Sequence, residues 1–232
     1  MSITGPDSTK PTRAGIPIGD LGSGLFAVIG ILSALVSRGK TGKGQHLDLS
    51  LLDVQISLLT YMATMYTLSG IDPEPIGNAH FVHVPYNSFT TKDGFVVIAV
   101  ITDAFWEELL KIVDIDCLRK EEYKNSSGRL KDQSFIESEL NKKLSTKKSD
   151  YWINSLNSAK VPCAPINSFS RALKDEQVIH RNMIIEVEHP DGGKVKMPGN
   201  PVKLSATHED SFSPPPHLGA HTEETLKDWC NY

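Results

Sequence analysis

The chain has 232 residues, of which 39% are hydrophobic and 22% charged, and its formal net charge is −4. This composition is typical of a globular protein with one sizeable core or two modest ones. No basic block and no Lys/Arg face with interleaved aromatic residues stands out, so we expect no nucleic-acid partner. Three widely spaced cysteines without a CxxC pair indicate reduced thiols, typical of a cytoplasmic protein or alternatively one of the mitochondrial matrix.

A long apolar helix is the first predicted element, at about residues 20–38. Its apolar run, 25–36, is shorter than the roughly 20 residues that a membrane span needs, so we expect no membrane partner. Apolar residues on most of its faces predict a buried, central helix. Small residues recur along it at spacings of four and three and predict close packing against a second backbone: Ser23, Ala27, Gly30, Ala34 and Ser37.

Asp20 lies between glycines at the start of this helix, in the segment GDLGSG at 19–24. Asp is a frequent N-cap, because its side-chain oxygen accepts the free N–H groups of the first turn. Alternatively, the glycines leave the carboxylate open to a ligand while the helix dipole keeps it ionised. The local sequence leaves both interpretations open.

The pattern of the remaining chain predicts a mixture of helices and short strands, an α/β arrangement. A half-buried strand is expected at 46–51, followed by a helix at 51–69 that Ser50 caps and Gly70 ends. Further on we predict two hairpins, 85–100 and 183–197, the second turning at 190–193. Helices are predicted at about 103–113 (capped by Thr102 or Asp103), 130–144, 150–158, 168–174 and 222–230. The polar stretches 121–131 and 142–148 are interpreted as solvated surface.

Histidines are the remaining candidates for chemistry. His217 and His221 are four residues apart but precede the last helix, so the sequence predicts no metal site. His80 and His83 lie beside Pro85 and Tyr86 in the linker between two apparent domains, where clefts often bind ligands. A purely hydrogen-bonded or surface histidine is the alternative there.

Several segments, in this order and spacing, resemble the class III CoA-transferases, also called the CaiB/BaiF family, over essentially the whole chain. They are GDLGSG at 19–24, the stretches 31–38, 40–45 and 49–53, GNAH at 77–80, VPY at 84–86, TKDG at 91–94, VPCAPIN at 161–167 and LGAHT at 218–222. The resemblance is strongest to succinyl-CoA:dicarboxylate transferases of the glutarate type. It implies a partial large domain of helices and short strands with an inserted small α+β domain.

The resemblance implies that Asp20 is the nucleophile, that an acyl-CoA thioester and a carboxylic acid are the substrates, and that no cofactor is permanently bound. It also makes Gly22, His80 and Tyr86 candidates for substrate contact. Covalent catalysis would run through an aspartyl anhydride and an aspartyl-CoA thioester. The alternative within the same fold is a 2-methylacyl-CoA racemase, in which the equivalent aspartate exchanges a proton.

The resemblance also implies a domain organisation. Residues 1–79 would be the remaining part of the large domain, 80–180 the small domain and 181–232 a return segment. Family members form interlocked homodimers, and their N-terminal half, which supplies most CoA contacts, precedes the point where this chain begins. We therefore expect a fragment, a split subunit or a truncated product with an exposed apolar face, which could be inactive without a partner.

Overall fold

The computed structural model describes residues 1–189, 191–207 and 212–230. The chain divides into two compact units, Met1–Pro165 and Ile166–Tyr232. Both units combine helices with antiparallel strands, so the predicted mixed fold is confirmed. The expected domain boundaries near 79 and 180 stay predictions.

Helix α1 spans Ile18–Thr41 and is longer at both ends than the pattern indicated. It begins after Pro17, and it ends at Gly42, whose φ of 70° is left-handed and whose N–H donates to the Arg38 carbonyl at 2.8 Å. The predicted stripe of small residues is confirmed as its packing face, because Ser23 is buried and its other four members are half-buried. A Cβ added at Gly30 would lie 2.9 Å from Leu47 Cδ1, so a larger residue there would displace the Leu47 side chain.

The large apolar side chains of α1 are exposed, including Leu25 at 69%, Ile29 at 58% and Val36 at 63%. The prediction of a buried central helix is therefore wrong for this chain, because Gly22 and Ser23 are the only buried residues of α1. The exposed apolar face expected from the resemblance is confirmed. The helix has 24 residues and meets the length and composition test for a membrane span. Core helices of soluble proteins share this length and composition, so a membrane span does not follow from them.

Residues 43–50 form neither helix nor strand, so the strand predicted at 46–51 is wrong. An alternating pattern becomes a strand only where another strand pairs with it, and no strand in the described residues does so here. Ser50 caps α2 (Leu51–Leu58) by accepting from the Asp53 N–H at 3.1 Å, as predicted. The helix then breaks at Thr60, which has a φ of 50°, and α3 (Tyr61–Ser69) continues to Gly70.

A three-stranded antiparallel sheet and four helices build the main core. The strands β1 (Tyr86–Thr90), β2 (Phe95–Ala99) and β3 (Cys163–Pro165) lie in the order β1-β2-β3, which confirms the first predicted hairpin. The helices are α4 (Asp103–Val113), α5 (Ser126–Lys131), α6 (Gln133–Leu144) and α7 (Ser149–Ser158). Thr102 caps α4. Large buried core side chains include Phe89, Ile98, Trp106, Leu109, Ile136, Leu140, Trp152 and Leu156.

Most residues of the stretch 121–131 are exposed, as predicted, but Tyr123 and Arg129 are buried. The stretch follows a 3-10 turn at Asp116–Leu118 and contains a second at Glu121–Lys124 before α5. Tyr123 is 0% and Arg129 1% exposed. The charged sequence gave no indication that Arg129 is buried. Burial of its charge is possible because all three nitrogens of the guanidinium donate hydrogen bonds within the fold.

The second unit contains α8 (Phe169–Ala172), α9 (Glu176–His180), β4 (Ile184–Glu188), β5 (Lys194–Pro198) and α10 (Thr222–Cys230). The second hairpin and the last helix are confirmed. In the predicted 190–193 turn, Pro190 lies outside the described residues. The sequence pattern missed α9, which Asp175 caps by accepting two backbone N–H groups.

Candidate functional site

Asp20 is the third residue of α1 and not its N-cap. Pro17 occupies the cap position, and no side chain caps the helix, so the N-cap interpretation is wrong. The Asp20 side chain is exposed, and nothing in the described part of the chain makes a hydrogen bond or an ion pair with its carboxylate. A negative charge in the first turn is favoured by the helix dipole. The carboxylate is thus accessible, and no described residue pairs with it.

The backbone around Asp20 supplies potential donors. The Leu21 N–H donates to the Pro17 carbonyl at 3.0 Å, whereas the N–H groups of Gly19 and Asp20 find no acceptor within the described residues. Unpaired N–H groups at a helix start can stabilise a developing oxyanion. The Ser23 hydroxyl is not available for this, because it donates to the Gly19 carbonyl at 2.7 Å.

The glycines beside Asp20 allow α1 to approach α2 closely. A Cβ at Gly19 would lie 3.2 Å from Gln55 Cδ, and one at Gly22 would lie 3.0 Å from Leu58 Cδ1. Gly22 is buried against α2, so the structure gives it a packing role. Its contact with substrate stays a prediction. A Cβ at Gly24 would meet nothing within 4 Å.

A ring cluster surrounds His80 in the loop before β1. The His80 ring stacks on Phe81 at 4.6 Å and lies 4.7 Å from the His83 ring and 5.2 Å from the Tyr86 ring, measured between centroids. Tyr61 of α3 adds a tilted contact to Phe81 at 5.9 Å. The structure therefore brings two predicted residues, His80 and Tyr86, together. Phe81 and Tyr61 were missed, and Tyr61 carries no signal in the sequence that links it to this loop.

The His80 ring has a defined hydrogen-bonding state. Its Nδ1 accepts from the N–H groups of Val82 at 3.0 Å and His83 at 3.2 Å. Partial burial lowers the pKa of His80 below its ordinary value, and the neighbouring His83 lowers this pKa further. A neutral ring that accepts at Nδ1 carries its proton on Nε2. His80 can therefore donate one hydrogen bond from Nε2.

Asp20 and His80 lie on different elements of the first unit, Asp20 on α1 and His80 in the loop before β1. No hydrogen bond, ion pair or ring contact within the described part of the chain joins Asp20 to the ring cluster. Among the described residues, no group of three His, Cys, Asp or Glu side chains could hold a metal ion.

Comparison with known proteins gives consistent matches. The family model described as CoA-transferase family III matches residues 1–222. The human succinyl-CoA:glutarate CoA-transferase is 32% identical, over 100% of this chain and 53% of that protein. The succinate–glutarate CoA-transferase of Agrobacterium fabrum is 32% identical over 98% of this chain and 57% of its own length. The chain thus spans about half the length of these curated relatives.

Solved structures agree with these matches. A CaiB/BaiF family protein from Brucella suis superimposes with a TM-score of 0.82 at 30% identity, over 98% of this chain and 60% of that chain. A Mycobacterium tuberculosis protein has a TM-score of 0.77 at 19% identity, over 91% of this chain and 56% of that chain, which shows a common fold. The family-model match over residues 1–222 and the relatives above 30% identity lead to one conclusion: the chain belongs to CoA-transferase family III.

Proposed function

We propose that this protein moves CoA from an acyl-CoA to a free dicarboxylic acid, with Asp20 as the nucleophile. The observation that carries the proposal is the exposed Asp20 carboxylate in the first turn of α1, to which no described residue donates, in a chain of this family. The substrate class is supported by the relatives, which include succinyl-CoA:glutarate and succinyl-CoA:mesaconate CoA-transferases. An acyl-CoA thioester is a substrate in this proposal, and no permanently bound cofactor is invoked.

The proposed reaction has four steps, each a displacement at a carbonyl carbon. The Asp20 carboxylate attacks the thioester, which forms a mixed anhydride and releases CoA thiolate. The thiolate attacks the aspartyl carbonyl, which forms an aspartyl-CoA thioester and releases the donor acid. The acceptor carboxylate then attacks this thioester, giving a second anhydride and thiolate. Attack of the thiolate on the acceptor acyl carbonyl yields the new acyl-CoA and restores Asp20.

The free N–H groups of Gly19 and Asp20 suit the oxyanions that form during these attacks. Backbone donors that point at a developing negative charge contribute without reorganising during the reaction. The proposal assigns His80 and Tyr86 to the acid substrate. The Nε2–H of His80 would donate to a substrate carboxylate, and a charged acceptor strengthens such a bond.

The relatives' transferase names favour acyl transfer over racemase-like proton exchange. The two reactions differ in an isotope experiment, because only proton exchange washes deuterium from solvent into the α-carbon of the acyl-CoA. An interlocked homodimer, by likeness to the family, is part of the proposal and would cover apolar surface of α1.

The test compares Asp20→Asn with the unaltered protein, both purified from the source organism through a C-terminal tag, so that any further segment or subunit stays attached. Transfer of CoA from succinyl-CoA to glutarate is followed by chromatography. Removal of a covalent nucleophile is expected to lower kcat at least about a thousandfold. Asp48→Asn, a carboxylate of the loop after α1, is the matched control and should keep its activity. Full activity of Asp20→Asn, or no CoA transfer by the unaltered protein, would refute the proposal.

A further inference from the structure

Two side chains of α5 donate hydrogen bonds to the backbone of the loop that carries His80. The Ser126 hydroxyl donates to the Val82 carbonyl at 2.8 Å, and Arg129 Nε donates to the Val84 carbonyl at 2.7 Å. These bonds join residues 44 and 45 positions apart in the sequence. The backbone of the loop is therefore fixed by tertiary contacts and not by its local sequence alone.

One peptide unit is held from two sides. The Val82 carbonyl and the His83 N–H belong to the same planar peptide group. Ser126 holds the carbonyl of this group, and the Nδ1 of His80 accepts from its N–H at 3.2 Å. Because the group is rigid, a shift of the carbonyl displaces the N–H that binds the ring. The Ser126 hydrogen bond therefore acts on the orientation and tautomer of His80.

Arg129 holds the Val84 carbonyl of this loop in a fixed position. Its guanidinium is 1% exposed, and besides Val84 it donates to the Tyr123 carbonyl and to Asp103 Oδ1, each at 2.9 Å. The guanidinium carbon also lies 5.3 Å from the centre of the Trp106 ring. A planar donor with every edge occupied has one geometry, so the Val84 carbonyl is fixed relative to the core.

We propose that Ser126 and Arg129 are positioning residues that hold the 80–86 loop so that His80 presents its Nε2–H to the carboxylate of the acid substrate. The proposal rests on the proposed function for the role of His80, whereas the anchoring itself does not depend on catalysis. A donor of fixed direction, on a ring flanked by Phe81 and Tyr86, selects a carboxylate acceptor over a neutral one.

Ser126→Ala removes the hydrogen bond to the Val82 carbonyl. Ser127→Ala is the matched control. Ser127 lies next to Ser126 in the first turn of α5, but its hydroxyl contacts Asn125 Oδ1 at 2.7 Å and not the loop. Ser126→Thr keeps a hydroxyl and should restore the unaltered behaviour. The first readout uses the 232-residue chain without substrate: NMR of the His80 ring nitrogens and hydrogen exchange at the His83 amide.

We expect Ser126→Ala to mix the two His80 tautomers and to accelerate His83 amide exchange about tenfold or more, an effect comparable to the loss of one hydrogen bond. Ser127→Ala should change neither. Equal behaviour of both variants, or no change in Ser126→Ala, would overturn the proposal.

The second readout is kinetic and uses the tagged protein purified from its source. Ser126→Ala should raise the KM for the acid acceptor about fivefold and leave the KM for the acyl-CoA donor unchanged. An altered tautomer with an unchanged acceptor KM would overturn the assignment to the substrate, while the Asp20→Asn result would still stand. Inactivity of the unaltered protein would instead refute the proposed function, and the NMR result alone would then decide the anchoring.

Discussion

At the scale of single residues, the position of Asp20 within α1 separates two interpretations that the sequence left open. A capping aspartate would precede the helix and bind its N–H groups, whereas Asp20 lies inside the first turn with an exposed carboxylate. The sequence singled out Asp20 but left its geometry open, because the same residue types occur in both arrangements. The helix begins at Ile18, directly after Pro17 in the cap position, and this start places Asp20 inside the first turn.

The His80 ring gives a prediction on pH. Partial burial, and then the charge of His83, lowers the pKa of His80 below its ordinary value of about 6.5. The unfolded state therefore binds more protons at His80 between this lowered pKa and about 6.5, and the free energy of unfolding should fall as the pH drops through that window. NMR titration should give a His80 pKa below 6.5.

His83→Ala tests the cause of the shift. Because burial is the larger cause, the pKa of His80 should rise in this variant but stay below about 6.5. A His80 pKa at or above 6.5 in the unaltered protein would contradict both the burial and the hydrogen bonds to Nδ1.

At the scale of elements, the sequence predicted most helices and both hairpins, because their periodicity and caps are local. It failed at 46–51, where a strand pattern found no partner strand, and at Thr60, where a left-handed residue splits one predicted helix into two. It also failed at α5, where charged residues concealed a buried arginine. The failures at 46–51 and at α5 share a cause, because strand pairing and the partners of Arg129 both depend on contacts distant in sequence.

The packing of α1 on α2 yields a matched pair of glycine variants. Gly24→Ala should stabilise α1 by about 0.5–1 kcal/mol, because a Cβ there meets nothing within 4 Å and alanine favours the helix. Gly22→Ala should lose this gain, since its Cβ would lie 3.0 Å from Leu58 Cδ1. Hydrogen exchange of α1 amides measures both. Equal stabilisation by the two variants would disprove the close approach of the helices.

Arg129→Met should destabilise the first unit by about 3–5 kcal/mol, because it leaves the carbonyls of Val84 and Tyr123 buried without a donor. Arg119→Met is the control, since the Arg119 side chain is 42% exposed and its ion pairs with Asp114 and Asp116 lie at the surface. Arg119→Met should lower the free energy of unfolding by about 1 kcal/mol or less. Urea unfolding measures the difference, and similar costs for the two variants would contradict the assigned role of Arg129.

At the scale of the whole molecule, the chain exposes 16914 Å² of surface. Apolar side chains of α1 to α3 contribute to this surface, and a large exposed apolar patch is a feature of protein interaction sites. The sequence could not predict this exposure. A helix with apolar residues on most faces is predicted to be buried, whether or not other residues of the same chain pack against those faces.

The apolar face should cause self-association of the 232-residue chain. Replacing Leu32 and Val36 together by Gln should increase the fraction of monomer and reduce the binding of an apolar dye at least about twofold, because both side chains lie on that face. Phe169→Gln is the control, a single side chain exposed at 84% in the other unit. Sedimentation velocity measures the monomer fraction, and an equal effect of the control would show that the face has no special role.

The central claim is that the Asp20 carboxylate becomes covalently bound to CoA during turnover, and trapping tests it most directly. The protein purified from its source is incubated with succinyl-CoA and then treated with borohydride, which reduces a thioester to an alcohol but leaves a free carboxylate unchanged. Mass spectrometry of the peptide that contains Asp20 should show this reduction only when succinyl-CoA was present, and hydroxylamine should prevent it. Active transfer of CoA with an unmodified Asp20 would contradict the account.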